Sequence, residues 1–157
     1  MSMPCVSRSV TGTCALPLKL IRAAKADQTE IASYHAHIYF AGPDERIVAL
    51  ALRDRIAERF TVSLGRVHDR LVGPHTRAMY QISFDVATFA KLVPWLMINR
   101  QGLAVLIHPN TGRERADHLT HSLWLGEMLP LVNMEMLAEE TKAEAARAPN
   151  TTPTLTP

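Results

Sequence analysis

Tyr34, Ala36, Ile38 and Phe40 alternate with His35, His37 and Tyr39, a period of two that predicts a strand with two chemically different faces. The period then changes. Gly42-Pro43-Asp44 reads as a turn into a helix that runs to about Arg59. Val48, Leu52 and Ile56 form one stripe of that helix, flanked by Ile47 and Ala51, and charged residues fill the rest. A second strand is predicted near Thr61–His68, a turn region over Asp69–Pro74 and a third strand over Arg77–Phe84. Asp85 suits the N-cap of a second helix reaching about Asn99, with a kink or a split expected at Pro94. Leu103–His108 reads as a fourth strand, ended by Pro109-Asn110-Thr111-Gly112, and His121–Leu125 as a further short one. Ala138–Arg147 has the composition of a solvated helix, and the Thr/Pro tail from Thr151 is expected to be disordered.

The order β-α-β-β-α-β predicts an α+β fold of the ferredoxin-like kind: an antiparallel sheet with helices on one face, plus a C-terminal appendage. The opposite face then needs another cover, either a second subunit or the appendage. Residues 1–32 are expected to be a flexible extension with a possible short helix near Leu20–Ala26. Residues 33–137 form the predicted domain, and 138–157 the solvated helix and tail.

Length and composition narrow the class. The chain has 157 residues, enough for one domain, and 47% apolar residues can supply a core. A net charge of +2 with no basic run argues against nucleic-acid binding. The longest apolar stretches are strand-sized, so no membrane span is expected. Cys5 and Cys14 both precede the predicted domain, which argues against a disulfide framework and fits a cytoplasmic protein. Polar residues at Ser9, Thr11 and Thr13 interrupt the apolar core that a targeting peptide would need.

Histidine changes the picture most. Seven are present, all between positions 35 and 121. Strand geometry puts His35 and His37 on the face that the helices leave open, about 6–7 Å apart at Cα, within reach of one metal ion. In a ferredoxin-like sheet the fourth strand lies antiparallel beside the first, which brings His108 toward His35. His118 and His121 follow closely, spaced as two ligands on a helical turn or as one ligand and one acid–base group. His75 follows a Gly-Pro turn that can aim it into a cleft, whereas His68 suits a solvated strand end. Neutral imidazoles without cysteine disfavour structural zinc and favour a metal with open coordination positions.

Several segments together resemble the DOPA 4,5-dioxygenase family. They are Tyr34-His35-Ala36-His37-Ile38-Tyr39-Phe40, Gly65-Arg66-Val67-His68, Val72-Gly73-Pro74-His75, Leu92-Val93-Pro94-Trp95-Leu96-Met97 and Asn99-Arg100 before Gly102-Leu103. His108-Pro109-Asn110-Thr111 and Asp117-His118, with His121 leading to Leu123-Trp124-Leu125-Gly126, continue the likeness. It covers about residues 34–128. The resemblance implies an extradiol ring-cleaving dioxygenase of catechols such as L-DOPA, using non-haem Fe(II) and O2 on a ferredoxin-like homodimer. Cleavage between ring carbons 4 and 5 would give seco-DOPA and then betalamic acid; the opposite regiochemistry would give muscaflavin.

On that reading the metal ligands come from His35, His37, His108 and His121. His118 or His75 moves the catechol proton, since imidazole both accepts and donates near neutral pH. Arg66 is the candidate partner of a substrate carboxylate, with Tyr39 and Gln81 as further substrate contacts. Asp69, Asp117 and Glu127 are the candidate carboxylates. Fe(II) is the expected metal, with Zn or Mn as alternatives on purified protein. The competing readings are a dioxygenase for another catechol, of the caffeate or protocatechuate type, a metal- or ligand-binding dimer without turnover, and a cofactor-free monooxygenase.

Overall fold

In a computed structural model of the chain, residues 31–157 are described. The expected extension, the short helix near Leu20–Ala26 and both cysteines fall outside or almost wholly outside them. The elements run β1 Ser33–Phe40, α1 Gly42–Ala57, β2 Ser63–His68, β3 Ala78–Phe84, α2 Val86–Asn99, β4 Val105–Asn110, α3 Glu114–Leu119 and β5 Leu123–Leu125. The sheet has five strands in the order β2-β3-β1-β4-β5, antiparallel throughout. This is the ferredoxin-like α+β arrangement that the sequence predicts, extended by β5.

The two faces of β1 divide as their alternation requires. Ala36, Ile38 and Phe40 join Leu52, Ile56, Tyr80, Ile82 and Leu96 in the large core beneath the two long helices. Tyr39 faces the other way into a smaller core with Met79, Leu106 and Leu129. Burying such side chains stabilises the fold by about 1.5–3 kcal/mol each, which pins the register of β1: a one-residue slip would exchange the faces.

Three local expectations are corrected. Pro94 does not split its helix into two elements: α2 runs unbroken from Val86 to Asn99 with Pro94 inside it. Pro94 and Ala90 are both exposed, so the carbonyl left without an amide partner meets water. Asp85 does cap this helix, its carboxylate accepting from the Thr88 amide at 2.8 Å. The fourth strand extends through Pro109 and Asn110. β5 pairs only with Val105–Ile107, so Pro109 has no neighbour on that side and its missing N–H costs little. Ala138–Arg147 is not helical. A ten-residue segment of Ala, Glu, Lys and Arg has no apolar stripe to bury and is marginal as an isolated helix. It runs irregularly along the domain, and the tail after it is pinned to β2 instead of hanging free. No helix among the described residues is long and apolar enough to cross a membrane.

The face opposite the long helices is therefore covered by the chain itself. Short α3, the stretch around Leu129 and Leu131, and residues 138–151 lie over it. The histidines sit beneath this cover.

Candidate metal centre

Strand pairing assembles the first part of the site. His35 is in register with His108 on β4 and with Ser83 on β3; His37 is in register with Leu106 and Gln81. Two turns of different construction bring in the rest. Gly73 takes φ +58, a left-handed conformation that favours glycine, and the His75 backbone then bridges to Leu131. α3 carries His118 over the same spot, anchored by buried Asp117. The Asp117 carboxylate accepts from the Thr111 amide at 2.9 Å and its hydroxyl at 2.8 Å.

Five imidazoles converge as a result. The His37 ring centre is 4.3 Å from that of His75 and 5.3 Å from that of His108; His108 is 4.0 Å from His118. His35 lies 5.3 Å from His108. The donor atoms of His35, His37 and His108 all fall within 4.8 Å of one another, and so do those of His37, His75 and His118. Nε2 of His37 and Nε2 of His108 are 3.1 Å apart.

Hydrogen bonds select the tautomers. His108 Nδ1 donates to the Pro109 carbonyl at 2.9 Å, and His118 Nδ1 donates to the Glu114 carbonyl at 2.8 Å. Each thereby presents a bare Nε2 lone pair toward the cluster. His75 Nδ1 pairs with the Tyr39 hydroxyl at 2.8 Å. Nε2 of His35 and Nδ1 of His37 are buried without any hydrogen-bond partner.

Burial sets the charge. Desolvation, then the neighbouring imidazoles, hold His37 and His108 well below the ordinary imidazole range. Burial pushes His35 and His75 down to about 4. It also lowers His118, against the opposing pull of the Glu114 carbonyl and the nearby carboxylates. At neutral pH the nest is thus a set of uncharged nitrogen donors.

Such a nest fits a transition-metal ion. Two nitrogens each about 2.1 Å from one ion and separated by a tetrahedral or octahedral angle stand roughly 3.0–3.4 Å apart, which brackets the His37–His108 spacing. Orphaned ring nitrogens and neutral imidazoles have the donor chemistry of such ions, and the lack of thiolates leaves room for exogenous ligands.

Of the sequence-predicted ligands, His35, His37 and His108 come together. His121 does not: its Nδ1 lies 3.1 Å from the Asp117 carboxylate, and it neither joins the clustered nitrogens nor lines the cavity they share. α3 ends at Leu119, so His121 falls beyond the helix that carries His118. His75 and His118 complete the cluster. Tyr39 reaches it through His75, and Trp124 stacks on Tyr39 at 5.7 Å. Gln81 lines both neighbouring cavities, whereas Arg66 is exposed at the rim of the larger one. His68 lines that larger cavity too. Asp69 and Glu127 are bound to Arg46 and Arg77 on the surface, away from the nest. Sequence reasoning missed Glu144, whose carboxylate stands 3.9 Å from His35 Nε2, and Arg147 beside it. No spacing pattern connects residues so far along the chain to the first strand.

Two cavities open on the nest, of about 220 Å³ and about 370 Å³. They share His37, His75, Gln81 and Arg147. The smaller one reaches all five clustered histidines.

Comparison with known proteins follows the same residues. The sequence model of the Dopa 4,5-dioxygenase family matches residues 34–135. A DOPA 4,5-dioxygenase of Amanita muscaria is 34% identical over 122 residues, covering 71% of this chain and 54% of its own length. An uncharacterised 21.2 kDa protein of Botryotinia fuckeliana is 34% identical over 110 residues, covering 63% of this chain and 60% of its own. The chain thus matches little more than half the length of these curated relatives. A crystal structure from Nostoc punctiforme, provisionally described as a dioxygenase, is 50% identical with a TM-score of 0.68, covering 71% of this chain and 95% of that one.

Proposed function

This chain belongs to the Dopa 4,5-dioxygenase family, and from that premise we propose that it is a non-haem iron dioxygenase opening the ring of a catechol such as L-DOPA by extradiol cleavage. The observation that carries the reading is the convergence of five histidines, four buried and His118 half-buried, in two overlapping triples within ligand distance, lining one cavity.

His35, His37 and His108 would hold Fe(II). When bound, iron would supply Lewis acidity toward a catechol and redox access to O2, and three protein ligands would leave coordination positions open for them. The remaining histidines do the proton work. His118, its Nδ1 fixed on the Glu114 carbonyl, presents Nε2 as the base that takes a catechol proton. His75 faces it across the cluster at 6.0 Å, and the Tyr39 hydroxyl on His75 Nδ1 steadies that ring and relays charge to it. Burial excludes water from this side of the ring, and low imidazole basicity keeps the donors unprotonated in the resting protein. Gln81, in register with His37 on the adjacent strand and lining the same cavity, would hydrogen-bond a substrate hydroxyl.

The test is O2 uptake by protein stripped of metal and reloaded anaerobically with Fe(II), Mn(II) or Zn(II), with L-DOPA, caffeate and protocatechuate as the panel. Uptake that requires Fe(II) and raises visible absorbance supports the reading. Metal binding without O2 uptake on any catechol replaces it with a ligand-binding module. Activity that survives chelation would point to cofactor-free monooxygenation.

A further inference from the structure

We propose that the C-terminal segment, residues 138–157, is a strap that completes the site, with Arg147 as the specificity-determining anchor for an anionic group on the tail of the substrate. The proposal rests on the reading of the nest as a catechol site.

The strap lies outside residues 34–135, to which the family model extends, yet the domain is shaped to receive it. Gly112 takes φ +86, and a Cβ built there would stand only 2.4 Å from the Thr141 carbonyl oxygen and 3.0 Å from the Ala143 amide. The Thr141 amide donates to the Gly112 carbonyl at 2.7 Å. Ser33 donates from its hydroxyl to the Glu144 carbonyl, and the Arg147 amide donates to Ser83 Oγ at 3.2 Å. The Asn150 side chain pairs with both the amide and the carbonyl of Leu64, at 2.8 Å and 2.9 Å. Thr151 accepts from the Val62 amide and donates to the Phe60 carbonyl. These bonds fasten the strap to β1, β3 and β2 in turn and satisfy the outer edge of β2.

This path sets two charged side chains over the nest. Glu144 and Arg147 line the smaller cavity, and their own ion pair spans 3.1 Å. Arg147 is the one cationic side chain that lines both cavities among the described residues. A catechol with its hydroxyls at the nest would direct a side chain toward the larger cavity, past Arg147. A guanidinium there offers paired donors matched to a carboxylate. Glu144 is its counter-ion until the substrate arrives. Arg66, at the far rim of the larger cavity, is the competing anchor.

The experiment compares 3-(3,4-dihydroxyphenyl)propanoate with 4-methylcatechol, which lacks the carboxylate, on the full-length Fe(II)-loaded protein. Arg147→Ala, Arg66→Ala and the strap control Lys142→Ala are assayed beside the unaltered chain. A second arm titrates 3-phenylpropanoate, a carboxylate without a catechol, into the metal-free proteins by calorimetry. Arg147→Ala is expected to raise KM for the propanoate about tenfold, to leave its kcat within about twofold, and to leave 4-methylcatechol unchanged. It should weaken 3-phenylpropanoate by a similar factor, while Lys142→Ala moves neither. Equal effects on both catechols, no carboxylate preference in the unaltered protein, or loss of that preference in Arg66→Ala alone would overturn the anchor and leave ring cleavage standing. If no catechol is turned over, the reading of the nest fails and calorimetry decides the anchor: Arg147-dependent carboxylate binding retains it, and its absence overturns it.

Discussion

His37 and His108, 71 positions apart in the chain, face each other from neighbouring strands with their Nε2 atoms 3.1 Å apart. In the metal-free protein one of these nitrogens must carry a proton and share it; around a metal ion both turn bare lone pairs inward. His108 Nδ1 keeps its proton and donates to the Pro109 carbonyl, so its Nε2 is committed to accepting from His37 Nε2. The pair is therefore the hinge of the metal assignment. Replacing His37 with Ala should reduce bound iron per chain at least tenfold and abolish turnover. Replacing His121, which lies outside the nest, should leave metal content near that of the parent. Metal analysis after dialysis reads both, and a His37→Ala protein with full iron occupancy would reassign the ligands.

Acid should destabilise the metal-free fold. His35 and His75 have folded pKa values of about 4, below the 6.5 of an unfolded imidazole. The unfolded chain binds more protons between these limits, so stability rises with pH. The contribution is fully present above pH 6.5 and is lost as pH falls toward about 4, by about 3 kcal/mol for each group. Urea midpoints of chelated protein should stay nearly level from pH 7.5 to about 6.5 and fall steadily from there to pH 4.5. Flat midpoints would mean that these rings are hydrated.

Tyr39→Phe keeps the stacking surface for Trp124 and removes only the hydroxyl that pairs with His75. The expected cost in stability is about 1 kcal/mol. Turnover should fall about ten- to a hundredfold with metal content unchanged, because His75 loses the group that orients it. Unaltered kcat across pH would remove His75 from the proton-transfer role.

Asp117 joins two functions. Its buried carboxylate holds Thr111 and faces His121, and thereby fixes the helix that carries His118. Asp117→Ala removes two hydrogen bonds to half-buried Thr111 and should destabilise the protein by about 1–3 kcal/mol, read as a shift in denaturant midpoint. Exchange of the amides in residues 114–119 should quicken more than that of β1.

Much of this architecture was legible beforehand, and particular residues show why. The alternation in β1 required a histidine face, because Ala36, Ile38 and Phe40 had to enter the core; strand order then brought His108 to His35. His75 and His118 are acid–base candidates from the sequence, but only tertiary placement brings His118 and not His121 into the cluster. α3 was not legible: six residues with an Arg at the N-cap carry no apolar period. The strap is not helical because helix propensity is a weak force beside specific hydrogen bonds from its backbone, here to Gly112, Ser33 and Ser83. Glu144 and Arg147 consequently escaped any reading based on spacing.

The most direct test of the central claim is the stoichiometry and mass of the product formed from L-DOPA by Fe(II)-loaded protein under a known quantity of O2. Ring cleavage predicts one O2 consumed per product, with a mass raised by two oxygen atoms, or by two oxygens less one water after cyclisation. A product that has lost two hydrogens and gained no oxygen, or one that has gained a single oxygen, would contradict dioxygenase chemistry at the histidine nest.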